Sequence, residues 1–127
     1  MALWQGKSQR KPTGGRRRPQ RKKRKFEISR EVSPPIVAPE HAVETLRVRG
    51  GAQKTRVLGA LKANVVDPAT GKAQAAEIVT VKENPANPNY VQRNFVNRGA
   101  IVETNLGLAR VTSRPGQDGV INAVLVK

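Results

Sequence analysis

The chain has 127 residues, 3% of them aromatic, with 24 Lys and Arg against 9 Asp and Glu for a net charge of +15. That length suits one modest domain, so few aromatics exclude a large core, and the surplus positive charge repels itself until a polyanion neutralises it. The absence of cysteine and the single histidine, His41, exclude disulfides, thiolate metal sites and a His-rich metal cluster.

The charge is concentrated at the beginning of the chain. Residues 1–30 hold twelve basic residues and one acid, Glu27, for +11, whereas residues 31–127 hold twelve basic and eight acidic residues, for +4. From Gln5 to Lys25 no side chain is aliphatic or aromatic. Such a stretch has too little apolar surface to offset the entropy of ordering it, so residues 1–33 are expected to be a long, irregular basic extension, disordered when free. Met1–Trp4 is too short for a signal peptide and Ala123–Val126 too short for a bilayer span. Pro12, Gly14, Gly15 and Pro19 would interrupt the amphipathic helix of a transit peptide, so the expectation is a soluble chain with no membrane partner.

Within the extension, Lys7 and Arg10 precede Lys11-Pro12-Thr13-Gly14-Gly15-Arg16-Arg17-Arg18, and Arg21-Lys22-Lys23-Arg24-Lys25 and Arg30 follow. This density matches a phosphate backbone. About six contacts would release enough condensed counterions to make affinity fall as roughly the fourth or fifth power of salt concentration. Gly14 and Gly15 keep no side chain between their N–H groups and an anion, Thr13 adds a hydroxyl, and Pro12 stiffens the approach. The competing reading is a solvated tail or, for Arg21–Lys25, an import signal. Twelve basic residues interleaved with Gly and Pro favour nucleic-acid contact. Trp4 suits stacking on a base and packing against protein equally well, while Phe26 and Ile28 read as an anchor onto protein.

Pro34, Pro35 and Pro39 make residues 34–40 an extended, stiff linker. From His41 the composition turns to Val, Leu, Ile, Thr and Ala, with Gly, Asn and Pro clusters recurring about every ten to fifteen residues, so residues 41–127 are expected to form a β-rich domain. Its first loop, around Arg47, Arg49, Gly50, Gly51, Lys54 and Arg56, is a second place to grip an RNA backbone, or else an ordinary glycine turn among solvated charges. Alternation from Arg56 to Val65 predicts one strand, with Val57, Gly59, Leu61, Ala63 and Val65 on one face. Asp67–Gly71 predicts a turn and Glu77–Glu83 the returning strand.

Asn84-Pro85-Ala86-Asn87-Pro88-Asn89 predicts a surface loop, and Tyr90–Asn97 fits either a short helix or an irregular strand. Ala100–Thr104, Leu108–Ser113 and Val120–Val126 predict a meander broken at Asn105-Leu106-Gly107 and at Pro115–Gly119, the latter read as a tight turn. Arg93, Arg98 and Arg114 lie beside loops, where each can add a phosphate contact. The fold expected is mainly all-β: a small, curled, barrel-like antiparallel sheet, because closure covers strand edges.

Catalytic constellations are missing from the sequence. It has no Cys nucleophile, no Gly-x-Ser-x-Gly elbow, no P-loop and no carboxylate cluster, and His41 beside Glu40 reads as an exposed or hydrogen-bonded histidine. An enzyme is not expected, nor a cofactor, nor a small-molecule substrate. Two binding readings stand: a structural RNA-binding protein, or an RNA- or DNA-binding regulatory or chromatin protein.

Several blocks then appear in a telling order. They are WQGKSQRKPTGGRRR from Trp4 to Arg18, KKRKFE from Lys22 to Glu27 with Arg30 and Glu31 after it, and VRGGAQKTR from Val48 to Arg56. ENPANPNYVQRN from Glu83 to Asn94, GAIVET from Gly99 to Thr104 and VTSRPGQDGVINAVLV from Val111 to Val126 complete them. The sequence resembles the archaeal and eukaryotic type of small-subunit ribosomal protein eight, which is unrelated to the bacterial protein of that ordinal, and its length resembles the archaeal form. It departs at Ser29, where that family commonly has glycine, and at Gln92, where a second arginine beside Arg93 is common. The resemblance implies a non-enzymatic, cytoplasmic constituent of the small ribosomal subunit. Its β-rich body would sit on small-subunit ribosomal RNA beside neighbouring ribosomal proteins, with the basic extension threaded between RNA helices.

Overall fold

The computed structural model describes residues 3–126; Met1 and Ala2, at the head of the expected extension, and Lys127, at the end of the expected β domain, lie outside the described residues. The chain divides into two compact units, one up to Val32 and one from Ser33 onward.

The second unit is mainly β, as expected. Its elements are β1 (Ile36–Val37), β2 (Ala42–Arg47), β3 (Gln53–Ala60), β4 (Lys62–Val66), β5 (Ala73–Glu83), α1 (Asn89–Gln92), β6 (Ile101–Thr104), β7 (Gly107–Val111), α2 (Pro115–Asp118) and β8 (Asn122–Leu125). Strands β4-β5-β6-β7-β8 close into a barrel, and β1-β3-β2 form a separate three-stranded sheet. The barrel is not wholly antiparallel: β4 and β8 meet in parallel, from Asn64 opposite Asn122 to Val66 opposite Val124. An odd number of strands alternating in direction leaves the first and last running the same way, so closure requires one parallel seam.

The strand expected over residues 56–65 is two strands. At Leu61 the chain leaves the three-stranded sheet and enters the barrel, and there the alternation lapses, since Gly59 and Ala60 are both buried. On either side of the break the expected face holds, with Val57, Ala63 and Val65 buried. Residues 34–40, read from the sequence as a linker, carry β1, which pairs Ile36 with Gly59 and Val37 with Ala60. The prolines keep this stretch extended, and an extended segment is also what a sheet edge accepts.

The turn at Asp67–Gly71 forms as its chemistry dictates. The Asp67 carboxylate accepts the Ala69 N–H at 2.9 Å and the Thr70 hydroxyl at 3.0 Å, and the Gly71 N–H donates to the Asp67 carbonyl at 2.8 Å. β5 starts four residues before the expected Glu77, because pairing with β4 recruits the weakly patterned Ala73–Ala76. Residues Asn89–Gln92 are helical, which decides between the alternatives left open for that segment. The preceding loop is pinned from below: Asn84 is buried and its Nδ2 donates to Asn97 Oδ1 at 2.7 Å. Pro115–Asp118 is a single helical turn rather than a tight β-turn, with Pro115 at its start and Gly119 closing it at φ 77°. A Cβ at Gly119 would lie 3.0 Å from Thr55 Cβ, so glycine is required there for space as well as conformation.

Besides Pro35 and Pro115, the buried apolar residues described are six alanines, six valines and two isoleucines. A barrel's diameter grows with its strand number, and five strands leave an interior too narrow for large side chains. Ala109, fully buried on β7, therefore has no room to grow, and Ala109→Leu is expected to cost about 1–3 kcal/mol by overpacking. Urea unfolding of the variant should show a lower midpoint.

Asn94 carries the one positive φ, 51°, among the described non-glycine residues. Its Oδ1 accepts the Thr80 hydroxyl at 3.0 Å and the Val81 N–H at 3.2 Å, where the β5–β6 register is irregular. Asn94→Ala removes an acceptor from a sheet amide and leaves a side chain poorly suited to the left-handed region, an expected loss of about 2–3 kcal/mol. Asn94→Gly should lose less, and thermal melts of the two variants side by side would show it.

Candidate nucleic-acid interface

The first unit, which holds most of the candidate contacts, is shaped by local turns. Its central hairpin follows from Lys11-Pro12-Thr13-Gly14. The Gly14 N–H donates to the Lys11 carbonyl at 2.9 Å, the Lys11 N–H to the Gly15 carbonyl at 2.8 Å, and the Arg17 N–H to the Gln9 carbonyl at 2.8 Å. Pro12 presets the turn and Gly14, at φ 85°, closes it in a conformation that other residues resist. The Gly14 N–H, expected to face an anion, is thus used within the turn. Arg10 Nη1 braces the same turn by donating to the Gly14 carbonyl at 3.0 Å.

The ends of this unit are drawn together. The Ser29 N–H donates to the Leu3 carbonyl at 2.8 Å, the Gln5 N–H to the Glu27 carbonyl at 2.7 Å, and Trp4 and Ile28 form an antiparallel bridge between them. Ser29 does not have the positive φ that would call for glycine, and its Oγ accepts the Leu3 N–H at 2.9 Å. A glycine at this position would lack that hydrogen bond.

Glu27 sits at the end of a 3-10 turn, Lys25–Glu27, and holds Arg21 in a two-pronged pair at 2.8 and 2.9 Å. That bond, and then the Arg24 N–H that the carboxylate also accepts, hold the Glu27 carboxyl below its ordinary pKa, while the Arg21 guanidinium is shifted upward. Arg21 also lies 5.6 Å from the centre of the Phe26 ring. Phe26 is exposed, so it makes no protein anchor within this unit; Ile28 is half-buried. Lys7, Lys11, Arg16, Arg18, Lys22, Lys23, Arg24 and Lys25 are exposed, together with Thr13, Gly14 and Gly15, and Arg17 is half-buried. Arg30 is exposed and has a partner of its own.

Trp4 is fixed in place. Its indole N–H donates to the Lys7 carbonyl at 2.8 Å, and a Cβ at Gly6 would fall 2.5 Å from Cζ2, 2.9 Å from Cε2 and 3.1 Å from Cη2. An approach past the ring's edge would leave both neighbours of Cζ2 much farther off than these distances, so Gly6 directs that position at the ring face. Beside the ring opens a cleft of about 740 Å³, lined also by Arg17, Arg18, Arg21, Lys7, Lys22 and Lys23.

In the β unit the second candidate is the β2–β3 hairpin. The Gly51 N–H donates to the Val48 carbonyl at 3.2 Å, with Gly50 at φ 85° and Gly51 at φ 86°. Arg47, Arg49, Gly50 and Gly51 are exposed and Lys54 is half-buried. Arg56 is committed to the sheet: it stands opposite Glu44, and its Nε donates to Glu44 Oε2 at 2.7 Å. Arg114 immediately precedes α2, its N–H donating to Asp118 Oδ2 at 2.9 Å, and Gly119 at the other end of that turn abuts Thr55 of β3. Arg114 is thus carried to the sheet that bears the hairpin. Arg93 and Arg98 are exposed on the segment that follows α1, which joins β1 through the Val37 N–H and Asn94 carbonyl at 3.1 Å, at the sheet edge away from β2.

Sequence reasoning passed over Gly6, Glu27 and Ser29 as structural residues of the extension. The available signals were a glycine two residues after the lone tryptophan and a single acid within a basic run.

The chain matches the family model described as Ribosomal protein S8e over residues 4–126. The small ribosomal subunit protein eS8 of Methanocella arvoryzae is 54% identical over 123 residues, covering 97% of this chain and 98% of that protein. The protein of the same description from Methanobrevibacter smithii is 52% identical over 126 residues, covering 99% of this chain and 100% of its own length. The similarity therefore runs through the hairpin of the extension, the β2–β3 loop and the barrel alike, and by that extent the chain belongs to the Ribosomal protein S8e family.

Proposed function

We propose that the protein is a structural constituent of the small ribosomal subunit in the cytoplasm, binding small-subunit ribosomal RNA and lying among neighbouring ribosomal proteins. The observation that carries this is the family match from residue 4 to residue 126, which includes the segment holding the charge of +11. Its role is to hold RNA segments together, with no turnover.

The basic extension supplies most of the affinity. Apart from RNA its cations repel one another and it has no apolar core, so the turns described above become fixed when phosphates neutralise that charge. The exposed Arg47 and Arg49 of the β2–β3 hairpin, with Lys54 and Arg114 beside them, offer a second contact, and Arg93 and Arg98 a third. Arg56 serves the sheet through Glu44. Contacts of this kind position the protein on folded RNA without reading its bases.

Removing residues 1–30 should leave a β domain that still unfolds cooperatively. Its affinity for small-subunit ribosomal RNA should drop, and the slope of log affinity against log salt should shrink by about 0.7–0.9 for each lost contact. Filter binding across a salt series measures this, and an unchanged slope would refute the role of the extension. In sedimented cell extract the full chain should travel with the small subunit and leave it only under strong salt washing. A regulatory or chromatin protein would instead stay mostly off the particle.

A further inference from the structure

We propose that the cleft of the N-terminal unit takes one unstacked RNA nucleotide, with its base laid on the indole of Trp4 and its phosphate on Arg17. This rests on the reading of the protein as a ribosomal RNA binder, and goes beyond it by adding contact with a base to contact with a backbone.

Three observations meet at this cleft. The first is the ring. Gly6 covers one face of the Trp4 indole and the bond from its N–H to the Lys7 carbonyl fixes its orientation, so the ring is a braced platform beside a cavity. A tryptophan serving only as an apolar plug would be enclosed, whereas Trp4 is 36% exposed. The second is charge. The side chains lining the cleft include six cations, of which Arg21 is paired with Glu27, and no carboxylate, and its volume of about 740 Å³ is that of a small-ligand site.

The third is an unmet donor. Arg17 Nε is shielded from solvent and has no hydrogen-bond partner, the one such side-chain atom among the described residues. A shielded N–H on a charged group is costly to leave unsatisfied, and a turn of the Arg17 side chain into the cleft would let a phosphate engage the guanidinium along its Nε edge and satisfy it. Lysine cannot reproduce that fork.

These features select a nucleotide over a simple anion. An anion needs the cations but not a ring held flat, and an apolar ligand needs the ring but not the surrounding cations. A base whose neighbours have been pulled apart offers a π-face and a phosphate together, as happens in the loops and bulges of folded RNA. Gln9, which also lines the cleft, carries a donor and an acceptor suited to a base edge.

Trp4 is the sole tryptophan, so its fluorescence reports on this cleft alone. Full-length protein is titrated with a single-stranded oligouridylate and, separately, with an abasic oligoribonucleotide of the same length and charge. Stacking predicts strong quenching by the oligouridylate and little by the abasic strand. It further predicts that Trp4→Ala weakens oligouridylate binding by about 5- to 150-fold while leaving abasic binding nearly unchanged, and that Trp4→Phe restores most of the loss. Arg17→Lys should weaken both strands, because the phosphate contact is common to them.

Equal quenching by the two strands, or binding of both with no quenching, would overturn the nucleotide site while leaving the RNA-binding reading intact. Failure of both strands to bind would bring down that reading and the site with it. The quenching comparison uses the unaltered protein and so does not depend on how any variant folds.

Discussion

Closing five strands on themselves sets the terms for the rest of the β unit. The closure forces one parallel seam, narrows the interior to aliphatic side chains no larger than isoleucine, and removes the exposed edges that a small open sheet would present. It also explains the scarcity of aromatics, for which such a barrel has no place. Because β3 runs into β4 with a single residue between them, the three-stranded sheet is tied to the barrel by the shortest possible connection. The basic β2–β3 loop is thereby carried on a braced element rather than on a free loop.

Charge is distributed along the same lines. In the β unit acids are used where they stand: Glu44 holds Arg56, Glu103 pairs with Lys82 at 3.0 Å, Asp67 organises a turn and Asp118 receives the Arg114 amide. Exposed pairs of this kind add little stability, but they lower the net charge of the domain and let it stay compact. The extension has a single acid in its first thirty residues, and Glu27 spends both oxygens on Arg21 and the 3-10 turn. Lys22, Lys23, Arg24 and Lys25, in the run between Arg21 and Glu27, stay exposed.

Much of this was legible in the sequence, because the signals were local. The Asp67–Gly71 turn, the C-terminal strands and the basic extension each follow from a few adjacent residues. What escaped depended on contacts that only the folded chain creates. The break at Leu61 is invisible to a period of two, since Leu61 fits the apolar face on either side, and only the change of sheet reveals it. β1 was hidden by its prolines, which argue against helix but do not exclude a two-residue edge strand. Among candidate contacts, sequence reasoning grouped Arg56 with the free cations because Glu44, twelve residues away, becomes its neighbour only through the β2–β3 register. Trp4 was balanced between two roles because nothing in the sequence shows that Gly6 turns back beneath the ring.

The two kinds of basic residue in the extension divide the work between them. Arginine side chains brace the backbone there: Arg10 donates to the Gly14 carbonyl and Arg21 to Glu27. Arginine has a planar fork able to hold a carbonyl or carboxylate on one edge while offering another edge outward, and it stacks on rings, as Arg21 does beside Phe26. Lysine is a strongly hydrated point charge, and Lys22, Lys23 and Lys25 remain exposed. A chain segment without an apolar core needs some residues to give it shape and others to supply charge at little conformational cost. Arginine can do both at once, and here Arg10 braces the hairpin and Arg21 the 3-10 turn while lysines crowd the run between Arg21 and Phe26.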